Sequence, residues 1–222
     1  MSASVRILST KKLLPNQKQY LLNAGFLVVE ADFITTKPLA FDLKNINDKL
    51  IFSSQNGVES ILQHPNVAEL KGKDVFCVGL KTKALLEANG FNVVAYTGYA
   101  EDLSEIITLV YPHNTYTFFS GNLRRDTLPE TLKAAGVVFN EITVYETVLT
   151  PQKIDTKPDG ILFFSPSGVE SYLKQNKITK EIAFCIGNTT AAAAQQSGFK
   201  NIVIANQPTV ENTIIQCINE YK

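Results

Sequence analysis

The chain is 222 residues long, 45% hydrophobic and charge-balanced, with 21 Lys and Arg against 21 Asp and Glu. That length has room for two lobes of roughly 110 residues each. The charge balance excludes a strongly basic nucleic-acid binder, although a local basic patch stays open, and no run approaches the ~18 uncharged apolar residues of a membrane span.

From Met1 the chain moves straight into a strand at Val5-Arg6-Ile7-Leu8-Ser9, with no apolar signal-peptide core. Asn16 to Asn23 reads as a helix closed by Gly25. Phe26-Leu27-Val28-Val29 reads as the next strand, running on through Ile34 to Pro38. Leu50-Ile51-Phe52 opens an alternating series: helix Gly57 to His64, strand Val75 to Val78, helix Thr82 to Ala88, strand Val93-Val94, helix Glu101 to Val110. Strands starting at Thr117, Val137, Ile161, Ala183 and Ile202 then alternate with helices near Thr127, Val169, Thr190 and Val210. Alternation of this kind predicts mostly parallel sheets with helices on both faces.

The chain also contains itself twice. Phe52-Ser53-Ser54-Gln55-Asn56-Gly57-Val58-Glu59-Ser60 returns as Phe163-Phe164-Ser165-Pro166-Ser167-Gly168-Val169-Glu170-Ser171, 111 positions later (163 against 52). Phe76-Cys77-Val78-Gly79 returns as Phe184-Cys185-Ile186-Gly187, and Ser9, Leu21, Gly25 and Glu30 match Ser120, Leu132, Gly136 and Glu141. A period this long is a domain-sized unit. The predicted fold is therefore α/β: two similar lobes with mostly parallel sheets flanked by helices, facing each other across a ligand cleft. Glu30 to Pro38 and Glu141 to Pro151 are equivalent extended segments. If they pair as a two-stranded connector, the chain ends share one lobe; the repeat alone equally allows two sequential lobes.

Candidate chemistry sits where a hydrophobic strand end meets a turn of Ser, Thr, Gly and Asn before a helix. This occurs at Ser53-Ser54-Gln55-Asn56-Gly57, Gly79-Leu80-Lys81-Thr82, Ser120-Gly121-Asn122, Ser165-Pro166-Ser167-Gly168 and Gly187-Asn188-Thr189-Thr190. Helix N-termini expose unpaired N–H groups and the positive end of the dipole, which suits carboxylate or phosphate. Any one such turn is explained by Ser, Thr or Asn capping its own helix. Five of them in two copies favour anion binding.

P-loop, Gly-x-Gly-x-x-Gly and Gly-x-Ser-x-Gly signatures are absent. His64 and His113 are the only histidines and read as solvated loop residues. No CxxC pair occurs, so neither a metal site nor a cofactor is expected. Three cysteines read as buried thiols of a reducing compartment. Tyr145, in Ile142-Thr143-Val144-Tyr145-Glu146-Thr147, is the acid–base candidate, since a phenol can donate a proton where imidazole is lacking. Arg124 and Arg125 are placed in the first turn of a helix and read as solvated surface.

At these turns the chain resembles uroporphyrinogen-III synthases. The residues that carry the likeness are Phe163 to Gly168, Ile186 to Ala191, Ser120-Gly121-Asn122-Leu123-Arg124-Arg125-Asp126-Thr127-Leu128-Pro129, Ile142 to Thr147, and Pro208-Thr209. The resemblance implies the exchanged arrangement: residues 1–35 and 150–222 in one lobe, 36–149 in the other, and connectors near 30–38 and 141–151. It implies a cofactor-free lyase that takes hydroxymethylbilane, a linear tetrapyrrole bearing an acetate and a propionate on each ring. The enzyme removes its hydroxyl as water and closes the macrocycle with the last pyrrole inverted, through a spirocyclic intermediate. Tyr145 then matches the tyrosine that helps the hydroxyl leave. Ser53, Ser54, Thr82, Ser120, Gly121, Asn122, Ser165, Ser167, Gly168, Thr189 and Thr190 are implied substrate contacts, with Lys81 an individual addition. A cytoplasmic monomer with no nucleic-acid or membrane partner is expected. The alternative reading is a two-lobed binding protein for an anionic small molecule.

Overall fold

The computed structural model describes residues 4–222; Met1, Ser2 and Ala3, read above as leading into the first strand, lie outside the described residues. The element order is β1 (Arg6–Ser9), α1 (Pro15–Asn23), β2 (Leu27–Glu30), β3 (Ile34–Pro38), β4 (Lys49–Phe52), α2 (Gln55–Leu62), β5 (Asp74–Val78), α3 (Leu80–Ala88), β6 (Asn92–Thr97) and α4 (Ala100–Val110). It continues with β7 (Thr115–Gly121), α5 (Thr127–Ala134), β8 (Val138–Leu149), β9 (Gly160–Phe163), α6 (Pro166–Leu173), β10 (Ile182–Cys185), α7 (Asn188–Gln196), β11 (Ile202–Ile204) and α8 (Val210–Glu220). A short 3₁₀ turn at Val67–Leu70, invisible in the hydrophobic pattern, precedes β5. The chain separates into two compact units: residues up to Thr35 with Val148–Lys222, and Thr36–Thr147.

In the first unit the strand order is β11-β10-β9-β1-β2, and all four pairings are parallel. This is the 2-1-3-4-5 order of doubly wound sheets, with its reversal of winding between β1 and β9. Period-2 alternation sends successive side chains to opposite faces. Leu8, Ile161, Phe163, Ala183 and Cys185 meet α6 and α7 through Val169, Tyr172, Ala191 and Ala194. Ile7, Leu162 and Phe184 meet α1 and α8 through Leu21, Ile214 and Cys217. Both faces are covered, so β9 and β10 and the middle of β1, Ile7-Leu8, are apolar, as buried parallel strands must be.

The second unit holds a six-stranded sheet, β3-β8-β7-β4-β5-β6, in which β8 through β6 are paired in parallel. Without its edge strand β3, the order β6-β5-β4-β7-β8 is the other doubly wound order, 3-2-1-4-5, with its reversal of winding between β4 and β7. One face packs Leu50, Phe52, Val75, Cys77 and Phe119 under α2 and α3. The other packs Ile51, Phe76 and Phe118 under α4 and α5. All three cysteines are free and buried, and burial pushes the Cys77 and Cys185 thiols up to about 12.

Two sequence expectations change. Phe26 to Pro38 is not one strand: it breaks at Ala31-Asp32-Phe33, and β2 and β3 belong to different sheets. Phe33 is fully buried in the first unit's core, 5.7 Å from the Tyr172 ring. The Asp32 carboxylate accepts from the Lys12 N–H at 2.8 Å, and its carbonyl accepts from the Thr150 hydroxyl at 2.7 Å. A run of β-formers shows neither the pinning nor the change of sheet. His64, read as solvated, is half-buried and stacks on Phe41 at 5.0 Å. Among the described residues no helix is long and apolar enough to cross a membrane.

Candidate functional site

In doubly wound sheets ligands bind outside the carboxyl ends of the strands, where the winding reverses. In the second unit that point lies between β7 and β4, and it brings together Ser53, Ser54, Ser120, Gly121, Asn122 and Tyr145. Ser54 ends the β4 segment as the N-cap of α2, its hydroxyl accepting from the Gly57 N–H at 3.2 Å. The same Oγ lies 3.0 Å from the Tyr145 Oη. Ser53 beside it is half-buried.

Tyr145 reaches this edge through an irregularity in the sheet. The β7–β8 register runs evenly to Ser120↔Thr143 and then skips to Gly121↔Tyr145. Strict alternation would send Tyr145 to the face opposite Val144. The extra residue turns it onto the same face, where it packs with Val144 and Ile142 against the Phe52 and Phe119 core. Bulges of this kind re-aim side chains near active sites. The ring lies against Gly121: a Cβ there would fall 2.3 Å from Tyr145 Cζ and 2.7 Å from its Oη. Gly121 is thus the residue whose missing side chain makes space for the phenol.

The rest of the β7–α5 turn grips β8 on both sides of Tyr145. The Asn122 N–H donates to the Tyr145 carbonyl at 3.2 Å, and its Oδ1 accepts from the Thr147 N–H at 2.8 Å. Arg124 makes a two-pronged pair with Glu141, Nε to Oε1 at 2.5 Å and Nη2 to Oε2 at 2.9 Å, and also reaches Asp126. This corrects the helix placement of Arg124 and Arg125 and the solvated reading of Arg124, while Arg125 is exposed. Helix α5 begins only at Thr127, so both arginines precede it, and Arg124 is ion-paired and three-quarters buried. Sequence could not pair it with a strand 17 positions away.

Burial alone would raise the Glu141 carboxyl, but the Arg124 guanidinium overcomes that and holds it below its ordinary value. A lowered folded value contributes stability above the unfolded pKa, which is lost as pH falls through the folded one. Glu141→Gln should therefore cost about 1–2 kcal/mol at neutral pH, a figure discounted for partial exposure. The difference from the parent should shrink as the carboxylate protonates. Urea denaturation of both proteins at neutral pH and below the ordinary value of 4.5 checks this; a difference independent of pH would contradict it.

Gly79 opens the neighbouring turn at φ +91°, a conformation that favours glycine, with Thr82 largely buried behind it and Lys81 exposed. In the first unit the winding reverses between β1 and β9. There Ser165 caps α6, accepting from the Gly168 N–H at 3.0 Å, and its Oγ lies 3.0 Å from the Ser167 Oγ. Thr10, missed in the sequence reading, is buried and donates to the Leu162 carbonyl at 2.8 Å. It is the repeat counterpart of Gly121, and that equivalence was the available signal. Thr190 is buried in the first turn of α7 while Thr189 is exposed. Ser54 and Ser165 are thus helix caps whichever ligand they meet.

Two doubly wound units with polar carboxyl edges, one holding a phenol where the winding reverses, define a two-unit α/β protein of the kind that binds ligands at its strand ends. The family model of uroporphyrinogen-III synthase HemD matches residues 17–215. A uroporphyrinogen-III synthase of Chlorobaculum parvum is 28% identical over 179 residues, covering 70% of this chain and 72% of that protein. The crystal structure of uroporphyrinogen-III synthetase from Helicobacter pylori is similar with a TM-score of 0.76 at 20% identity, covering 97% of this chain and 99% of that one. A mutant uroporphyrinogen-III synthase of Thermus thermophilus is similar at 0.67 and 15% identity, covering 99% and 100%; the two structures bear on the fold. The chain belongs to the uroporphyrinogen-III synthase family, lyases of tetrapyrrole biosynthesis.

Proposed function

We propose that the chain converts hydroxymethylbilane into uroporphyrinogen III, with Tyr145 as the acid that protonates the departing hydroxyl. The observation that carries this reading is the family match over residues 17–215, coupled to a phenol aimed at the sheet edge by a bulge and a glycine. In the reaction the hydroxymethyl C–O bond breaks and its electron pair leaves with oxygen. The pyrrole's own electrons fill the vacated position, and the proton from Tyr145 completes the water. Ring closure through the spiro carbon then releases a ring proton, which can restore the phenol. The carboxylates of the substrate suit the donor-rich turns around Ser53, Lys81, Thr82, Ser167, Gly168, Thr189 and Thr190, where backbone N–H groups and hydroxyls hold anions without a strongly basic protein.

Because the linear substrate cyclises unaided to the uninverted isomer, much of the catalysis is control of geometry. We take the protein to act as a cytoplasmic monomer without nucleic-acid or membrane partners. The test is a coupled assay from porphobilinogen, with oxidation of the products and separation of isomers I and III. Isomer III is expected in excess; isomer I alone would refute the reading. No cluster of His, Cys, Asp or Glu suited to a metal occurs among the described residues. Dialysis against a strong chelator should leave the yield of isomer III unchanged, and activity restored only by added zinc or magnesium would contradict that.

A further inference from the structure

Ser54 belongs to the sheet-edge turns read as substrate contacts, yet its hydroxyl is already committed on two sides within the protein. It accepts from the Gly57 N–H in the first turn of α2, and it lies 3.0 Å from the Tyr145 Oη. A hydroxyl has one hydrogen to give and two lone pairs. In the Ser54–Tyr145 contact either oxygen can be the donor. If Tyr145 donates, its proton is spent on Ser54 and cannot reach a substrate. If Ser54 donates, the phenol keeps its proton free, and the oxygen left after transfer already holds a hydrogen bond.

We propose that Ser54 is a positioning residue for proton donation: it gives its hydrogen to the Tyr145 oxygen, so that the phenol proton points to the leaving hydroxyl. The inference rests on the reading of Tyr145 as the acid. Three features of the site support this direction. The N–H of Gly57 feeds the Ser54 oxygen, and chains of hydrogen bonds polarise one another, which makes the Ser54 hydrogen the better donor. The N-terminal end of α2 places its partial positive charge on the same side, favouring negative charge as it develops on the phenol oxygen. The ring cannot swing toward the strand to seek another partner, because it already rests on Gly121 at less than the clearance of one methyl group.

When the proton leaves, the O–H bond of Tyr145 breaks and its electron pair stays on Oη, where the Ser54 hydrogen remains bonded. The new O–H bond forms on the substrate oxygen, which departs as water. No further reactant is consumed at this step, and a proton released on ring closure restores the phenol.

The test separates donation from helix capping. Ser54→Ala loses both; Ser54→Asp can still cap α2, but as a carboxylate it accepts only and draws the phenol proton to itself; Ser54→Thr keeps both. Initial rates of isomer III formation should show kcat lowered about fivefold to tenfold in Ser54→Ala, the scale of one hydrogen bond. Ser54→Asp should lose at least as much while melting like the parent, and Ser54→Thr should recover most of the rate. KM should change little in Ser54→Ala and Ser54→Thr, whereas the added carboxylate of Ser54→Asp repels the substrate's carboxylates and should raise KM as well, so for that variant kcat is the readout. In a Tyr145→Phe background Ser54→Ala should cost nothing further, because the two residues act as one unit.

Equal losses in the two backgrounds, or a Ser54→Asp protein as active as the parent, would overturn the role of Ser54 while leaving Tyr145 as the acid. A rise in KM with kcat unchanged would return Ser54 to plain substrate binding. Parental rates in Tyr145→Phe alone would remove the acid itself, and this inference with it.

Discussion

Replacing Tyr145 with phenylalanine is expected to slow formation of isomer III by roughly 10²-fold or more, the usual range for removing a general acid. The fold should survive. Only one oxygen is removed, its hydrogen bond to Ser54 contributes about 1 kcal/mol, and the ring keeps its contacts with Val144, Ile142 and the aromatic core. The measurement is single-turnover production of isomer III, with thermal unfolding as a control. The fall should lie in kcat, since the phenol acts on the departing group. A loss of only a few-fold would mean that Tyr145 orients the substrate, and parental rates would mean that the tyrosine is packing alone.

The second large effect is expected at Gly121. A methyl group there would lie 2.3 Å from Tyr145 Cζ and 2.5 Å from Cε2, far inside contact distance. The backbone at Gly121 is not in the left-handed region, so the obstacle is the ring rather than φ. Gly121→Ala should push the ring off the strand end, break its contact with Ser54, and reduce activity about as much as Tyr145→Phe. Overpacking of this kind costs about 1–3 kcal/mol, so a lowered Tm should accompany the lost activity. Truncating the tyrosine as well relieves the clash: Gly121→Ala with Tyr145→Ala should be more stable than the two single effects added together predict. Full activity and an unchanged Tm in Gly121→Ala would show that the strand end yields and that the close approach is incidental.

Both predictions depend on a feature that the amino-acid pattern conceals. The segment Ile142 to Thr147 reads as an extended run, and in such a run Tyr145 belongs to the opposite face from Val144. One skipped register position between Ser120 and Gly121 reverses that. The motif Ser120-Gly121-Asn122 also reads as a row of ligand donors. In the folded chain Gly121 yields space to a ring and Asn122 ties β8 in place, with Arg124 anchored to Glu141 just beyond.

What the sequence determined by itself is whatever depends on local periodicity and chain direction. Alternating apolar strands and amphipathic helices dictated parallel sheets covered on both faces, because only crossover helices join parallel neighbours and bury both sides. The duplicated Ser–Gly turns marked strand ends that lead into helices, since caps and tight turns are set by residues next to one another in the chain. Tertiary structure alone decided which strand ends became neighbours. The strands β4 and β7 meet only because the winding reverses between them, and residues from positions 54, 121 and 145 converge there. Their partnership is made of clearances of a few ångströms and one hydrogen-bond direction. Such quantities exist only once distant segments are packed, so no spacing in the sequence encodes them.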